Sequence, residues 1–199
     1  DAGSSIVAGS YRLNISATEV IVAGTITGDG GGIMIDVAAL RGTGSIHGWP
    51  SLEVNASHID FYYLNASGSW TSGGSITVRS PDMRVDYIVA NSNYGWYSGG
   101  SIRIETDSVE RIGTVSTYGS PYGPVNFTLN NATFVPPAYT GGGVVNVSLT
   151  APLESLVMPS GRQLYAYTNF DIPVVDPSVF EFYVASGGTL HFGSWKGGE

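Results

Sequence analysis

The sequence predicts an all-β chain, a right-handed parallel β-helix of about 7–8 short rungs. Three observations predict it. Short apolar/polar alternations rich in Val, Ile, Thr and Tyr dominate, and long 3.6-spaced apolar stripes are missing. Glycine pairs precede several of these runs. The runs recur at a nearly constant interval.

Taken in order, the leading strands are Leu13-Asn14-Ile15, Ile33-Met34-Ile35, Leu52-Glu53-Val54, Ile76-Thr77-Val78, Ile102-Arg103-Ile104, Phe127-Thr128-Leu129 and Val145-Asn146-Val147. Their first residues are spaced by 20, 19, 24, 26, 25 and 18 positions. Gly31-Gly32, Gly73-Gly74, Gly99-Gly100 and Gly142-Gly143 stand just ahead of four of them. Each unit adds further apolar pairs, such as Val20-Ile21-Val22 with Thr25-Ile26-Thr27, or Met83-Arg84-Val85 with Tyr87-Ile88-Val89. Three short strands per turn, with glycines at the corners, make a β-helical rung. The competing architecture is an antiparallel β-sandwich or jelly roll with a donated strand, which shares the alternation and the turns. It does not account for the Gly-Gly-x-Ile recurrence. Residues 1–10 are expected to form an N-terminal strand and candidate inter-subunit linker. Rungs fill 11–150. Residues 151–199, with Pro152, Pro159, Pro173 and Pro177, form irregular rungs or a cap of the same domain.

Composition narrows the function. The chain has 199 residues, 28 Gly, 10 Pro and no Cys, and its net charge is −8. Charged residues make up 12% against 42% apolar, so a core can form although the surface carries few charges. The acidic balance argues against nucleic acid, which requires Lys/Arg stripes. Absence of Cys excludes disulfides, thiolate zinc sites and a Cys nucleophile. No apolar run reaches the ~18–20 residues of a membrane span. The chain starts with Asp1 and shows no signal-peptide pattern, which fits a mature exported chain or a trimmed one.

Six of the ten asparagines open an Asn-X-Ser/Thr triplet: Asn14, Asn55, Asn65, Asn126, Asn131 and Asn146. Chance placement in a chain with 39 Ser and Thr predicts about two of ten, so the excess points to N-glycosylation. Strand alternation supports this. Asn14, Asn126 and Asn146 each sit between two apolar residues, so inward neighbours imply outward asparagines. Asn55 and Asn65 keep the same phase, and Asn131 falls in a turn.

No catalytic, metal or cofactor site is expected. Asp82 and Asp86 flank Arg84, while Glu105, Asp107 and Glu110 lie near Arg103 and Arg111. Such acids serve glycosidases or calcium sites elsewhere. Here pairing with arginines on an exposed face is the simpler expectation. Gly28-Asp29-Gly30-Gly31-Gly32 lacks the Lys-Ser/Thr of a phosphate loop and reads as a rung corner. His47, His58 and His191 have no metal-ligand spacing. Trp70, Tyr94, Trp96, Tyr97, Tyr118 and Tyr122 fall in loops of neighbouring units and form a candidate ligand or partner ridge.

The Gly-Gly-Ser-Ile-x-Ile pattern over about residues 11–150 resembles β-helical surface proteins of archaea and bacteria, including haemagglutinin-type adhesins. Sequon density, absent Cys, a single Lys and β-rich composition also resemble glycosylated extracellular filament subunits of thermophilic archaea. The resemblance implies an extracellular, cell-surface structural protein and no enzyme. It would be a homopolymer joined head to tail by strand addition or rung stacking and serving adhesion, with N-linked glycans. Ile6, Val7, Leu190, Phe192 and Trp195 are the expected subunit contacts, because apolar strand-like segments lie near both ends. The alternative is a carbohydrate-binding or polysaccharide-cleaving β-helix.

Overall fold

The computed structural model describes residues 4–68, 72–94, 96–107 and 111–129, and beyond these the backbone of seven strands. The strands are β1 (Ser5–Ala8), β2 (Leu13–Ile21), β3 (Thr25–Asp29), β4 (Ile33–Trp49), β5 (Ser51–Asn65), β6 (Ser75–Arg79), β7 (Asp82–Val89), β8 (Ser101–Thr106), β9 (Ile112–Ser116) and β10 (Val125–Leu129). Then come β11 (Thr133–Phe134), β12 (Ala138–Tyr139), β13 (Val145–Leu149), β14 (Ser155–Met158), β15 (Gln163–Ala166), β16 (Glu181–Val184) and β17 (Thr189–Phe192). The described residues contain no helix.

Every strand pairing is parallel, and each segment pairs with the segment one turn later. Hairpins cannot produce parallel neighbours. The chain must instead coil, so the antiparallel sandwich is excluded and the molecule is a parallel β-solenoid.

Three columns of inward side chains define it. On the first face Leu13, Ile33, Leu52, Ile76, Ile102 and Val125 stack in register, and the β13 backbone continues the ladder at Val145. Val20, Leu40, Ile59 and Met83 stack on the second. On the third, Ile6, Ile26, Ile46, Leu64, Ile88 and Val115 align. From Ile33 to Val125 every first-face member is buried, as are Leu40, Ile59, Met83, Ile46, Leu64 and Ile88. Each fully buried aliphatic side chain contributes about 1.5–3 kcal/mol relative to exposure.

Two sequence expectations are corrected. The solenoid makes about six turns rather than 7–8. The seven leading strands are separated by six intervals. The strands beyond Leu149 do not extend the main ladder: β14 pairs with β16 and with β11, and β15 pairs with β17. Secondly, Val125 and not Phe127 aligns with Ile102, and Phe127 aligns with Ile104. Val125, Phe127 and Leu129 are all buried, so alternation identifies their face but not their axial register.

Corners follow from glycine. In β4 the chain turns between the second and third faces without leaving the ladder. There Gly42 has φ 133° and the register slips between Gly42 and Ser45. A Cβ at Gly42 would collide with the Val22 carbonyl oxygen. At the next corner Gly74, Gly100 and Gly123 stack backbone on backbone. A Cβ at Gly100 would strike the Gly74 oxygen, and one at Gly123 the Gly100 oxygen. This stacking is the physical content of the Gly-Gly-Ser-Ile repeat.

Candidate functional site on the outer face

The first face presents alternate residues outward. One outward column reads Asn14, Met34, Glu53, Thr77, Arg103, Asn126, with Asn146 next in backbone register. The next reads Ser16, Asp36, Asn55, Arg79, Glu105, Thr128, with Ser148 next in backbone register. The triplets at Asn14, Asn126 and Asn146 therefore place Asn in one column and their Ser or Thr in the other. Asn126 and Asn146 are direct register partners, as are Thr128 and Ser148.

Surroundings differ among these asparagines. Asn14 is exposed, while Asn55, Asn65 and Asn126 are half-buried. The Arg79 Nη1 donates to Asn55 Oδ1 at 3.1 Å. The Ser67 amide donates to Asn65 Oδ1 at 2.7 Å, forming a local side-chain turn. Ser67 is itself buried, and its Oγ accepts from the Asn91 amide at 3.1 Å. Asn91 Oδ1 in turn accepts from Ser116 Oγ at 2.8 Å and from the Tyr118 amide at 2.7 Å. Asn65 thus opens a polar ladder running from rung to rung. Asn131 lies outside the described residues, and Asn146 is placed on β13 by its backbone register alone.

A chain of ion pairs crosses the same face. Arg12 meets Glu53 at 3.2 Å, Arg79 meets Glu53 at 2.7 Å and Glu105 at 3.2 Å, and Arg103 meets Glu105 at 2.8 Å. The Glu53 hydrogen bond, helped by Glu105, holds the Arg79 pKa above its ordinary value. These side chains are well solvated, so each pair contributes only ~0.2–1 kcal/mol. On the second face Glu19 pairs with Arg41 at 3.3 Å, and Asp60 lies 3.9 Å from Arg84. Asp82 bonds His58 at 2.6 Å and Arg111 at 3.1 Å. Of the acids singled out from sequence, Asp82 and Glu105 meet basic residues, mostly on other rungs. Asp86 and Asp107 form no ion pair among the described residues, and Glu110 lies outside them. Arg84 turns to Asp60 rather than to Asp82 or Asp86.

At the edge of the first face, where the chain turns toward the second, runs a groove of about 700 Å³. It crosses five turns, from Asp36 through Asn55, Arg79 and Glu105 to Thr128, with Asp107 on its rim.

Five of the predicted ridge aromatics lie on two loops that touch. The Ser120 amide donates to the Tyr97 carbonyl at 2.8 Å, and Tyr118 and Tyr122 meet edge to face at 5.8 Å. Trp96 is 83% exposed, Tyr97, Tyr118 and Tyr122 are exposed, and Tyr94 is half-buried. Trp70 lies outside the described residues. Sequence reasoning missed a second aromatic cluster. Tyr62 stands 6.3 Å from Tyr63 and 5.4 Å from Tyr87, and Tyr63 stands 6.0 Å from Tyr87. Burial, then the neighbouring Tyr62, raises the Tyr63 pKa above 10.0.

Of the expected subunit contacts, Ile6 is 56% exposed and Val7 68% exposed. Leu190 and Phe192 sit on β17 in register with Leu164 and Ala166 of β15. Trp195 lies outside the described residues. Among the described residues no three His, Cys, Asp or Glu side chains are grouped to hold a metal, and no helix is long and apolar enough to cross a membrane. Comparison with models of known families, with curated protein sequences and with solved structures gives no match.

Proposed function

We propose that the chain is a structural subunit of an extracellular, N-glycosylated filament or surface assembly, joined head to tail and serving adhesion or cell contact. One observation carries the reading: no described residue covers the first turn. Ile6 continues the buried column of Ile26, Ile46 and Leu64, yet more than half of it is exposed at 56%. Leu13 and Ile15 continue the first-face columns and are only half-buried. Among the described residues, β1 and β2 each pair on one side only. An open parallel edge above an apolar column is a template for another strand.

A second copy laid on that edge completes the ladder and covers Ile6, Leu13 and Ile15. The segment bearing Leu190 and Phe192 supplies the opposite half of such a contact. A contact between unlike ends repeats without closing and yields a filament. Sugars on the outward asparagines leave the ends free and provide the solubility that a sparsely charged surface lacks. Electron microscopy of the purified chain is expected to show end-to-end oligomers, and Ile6→Asp to reduce them to monomers with an unchanged unfolding midpoint. Monomers of the unsubstituted chain at high concentration would refute the assembly.

A second reading, carbohydrate binding, is favoured by the exposed aromatics Trp96, Tyr97, Tyr118 and Tyr122, which suit stacking on sugar rings. Quenching of tryptophan fluorescence by soluble polysaccharides tests it.

A further inference from the structure

Asn55 differs from the other described sequon asparagines, because it lines the groove of about 700 Å³. Three features of that site bear on what occupies it. First, the carboxamide is oriented. Arg79 has only N–H donors, so the group it bonds at 3.1 Å must be the Asn55 oxygen. The Nδ2 is left without a bonding partner among the described residues. Secondly, Ser57, the third member of the triplet, is exposed. Its counterpart at Asn65 is not, for Ser67 is buried and bonded to the Asn91 amide. Thirdly, the groove extends past Asn55 in both directions. It crosses five turns, about 19 Å at roughly 4.8 Å per strand. Its ~700 Å³ is the size of a ligand site, and its lining mixes charged and polar side chains with Val37, Ala56, Pro81 and Leu129. The Asp36 and Asp107 carboxylates, both exposed, have no side-chain partner among the described residues.

Other charges on this face are consumed in ion pairs, Arg79 itself with Glu53 and Glu105, and Arg103 with Glu105 along β8. Here two acceptors and a fixed guanidinium line an elongated trough with an amide nitrogen in its wall. Carboxylates and guanidinium groups are the side chains that bond sugar hydroxyls. We propose that the groove is the seat of the glycan carried by Asn55. Its first sugars lie along the trough against Asp36, Arg79 and Asp107 instead of projecting into solvent. The inference rests on the glycoprotein reading above and adds that one glycan is a packed part of the structure.

The covalent step requires an activated sugar of the glycosyl diphosphate class and a transferase. A C–N bond forms between Nδ2 and the anomeric carbon. The anomeric C–O bond breaks, the diphosphate departs with its electron pair, and one amide proton passes to a base of the transferase. Arg79 keeps hold of Oδ1 afterwards, since glycosylation leaves the amide oxygen unchanged.

The test uses the chain produced in an N-glycosylating host. Glycopeptide mass spectrometry reads which asparagines are occupied. Release by a peptide:N-glycanase is then timed on the native protein and on the denatured one. Asn55 is expected to be occupied. Its glycan should leave the native protein at least about tenfold more slowly than that of exposed Asn14, with the two rates equal after denaturation. The double variant D36A/D107A, which removes only exposed side chains, is expected to bring native release at Asn55 to the Asn14 rate. Equal native rates in the unsubstituted protein, or slow release that survives D36A/D107A, overturn the groove as the seat. An empty Asn55 beside an occupied Asn14 overturns this inference and leaves the glycoprotein reading standing. A chain bearing no glycan at any site overturns both.

Discussion

A single outward asparagine can carry a sugar or hold the backbone, and the hydrogen bonds decide which. Asn65 holds the backbone: its oxygen takes the Ser67 amide, and Ser67 passes the contact to Asn91. Asn14, exposed on the first turn, has no such bond among the described residues. Asn65→Ala leaves a half-buried amide unsatisfied and is expected to cost about 1–3 kcal/mol. Asn14→Ala is expected to stay within about 0.5 kcal/mol. Urea unfolding of the two variants checks both figures. Tyr63 titrates as a residue but reports on its cluster. Its folded pKa lies above 10.0, mainly through burial. The unfolded chain therefore ionises first as pH rises. The stability that the neutral phenol contributes is intact below about pH 10 and is lost as pH climbs through the raised folded value. Unfolding temperatures should thus fall above about pH 10, and Tyr63→Phe should make that fall shallower. A Tyr63→Phe profile identical to the parent's would show that Tyr63 does not drive it.

At the scale of the strand, the sequence revealed faces better than neighbours. The column Leu13, Ile33, Leu52, Ile76, Ile102 was visible because apolar alternation and corner glycines mark the same positions. The step from Ile102 to Val125 was not, because Val125, Phe127 and Leu129 share one parity and only the corner ahead of β10 sets the register. Ion-pair partners were hidden for a metric reason. Same-face residues along a strand stand about 7 Å apart, whereas strands on successive turns stand about 4.8 Å apart. Arg84 accordingly meets Asp60 on the turn before rather than Asp82 two residues away, although Arg103 and Glu105 do pair along β8. The tyrosine cluster escaped notice because Tyr62 lies opposite the register slip, outside the alternating pattern. The sequons could be counted in the sequence. Which of them faces a groove and which supports a turn depends on contacts between turns.

Over the described residues from β1 to β10 the molecule is a one-dimensional stack. Each turn contacts the turns before and after it, and partners lie about 20 residues apart in the chain. Damage should therefore spread along the axis and fade with distance. Ile59 is fully buried between Leu40 and Met83. Ile59→Ala is expected to cost about 2–5 kcal/mol. It should weaken amide exchange protection in β4, β5 and β7 far more than in β10. Uniform loss across all strands would mean that the solenoid opens as one unit. The register has a last consequence, for inheritance. An Asn-X-Ser/Thr triplet has the same two-residue period as a pleated strand, so within a strand the acceptor and its hydroxyl share one face while X takes the other, as at Asn14-Ile15-Ser16 and Asn126-Phe127-Thr128. Ser75-Ile76-Thr77 and Thr25-Ile26-Thr27 each lack only the asparagine, at exposed Ser75 and Thr25. One codon change there creates a new acceptor and leaves Ile76 or Ile26 untouched. The sugar coat of such a lineage can be rewritten a site at a time, at a mutational distance of one, while its interior stays under separate selection.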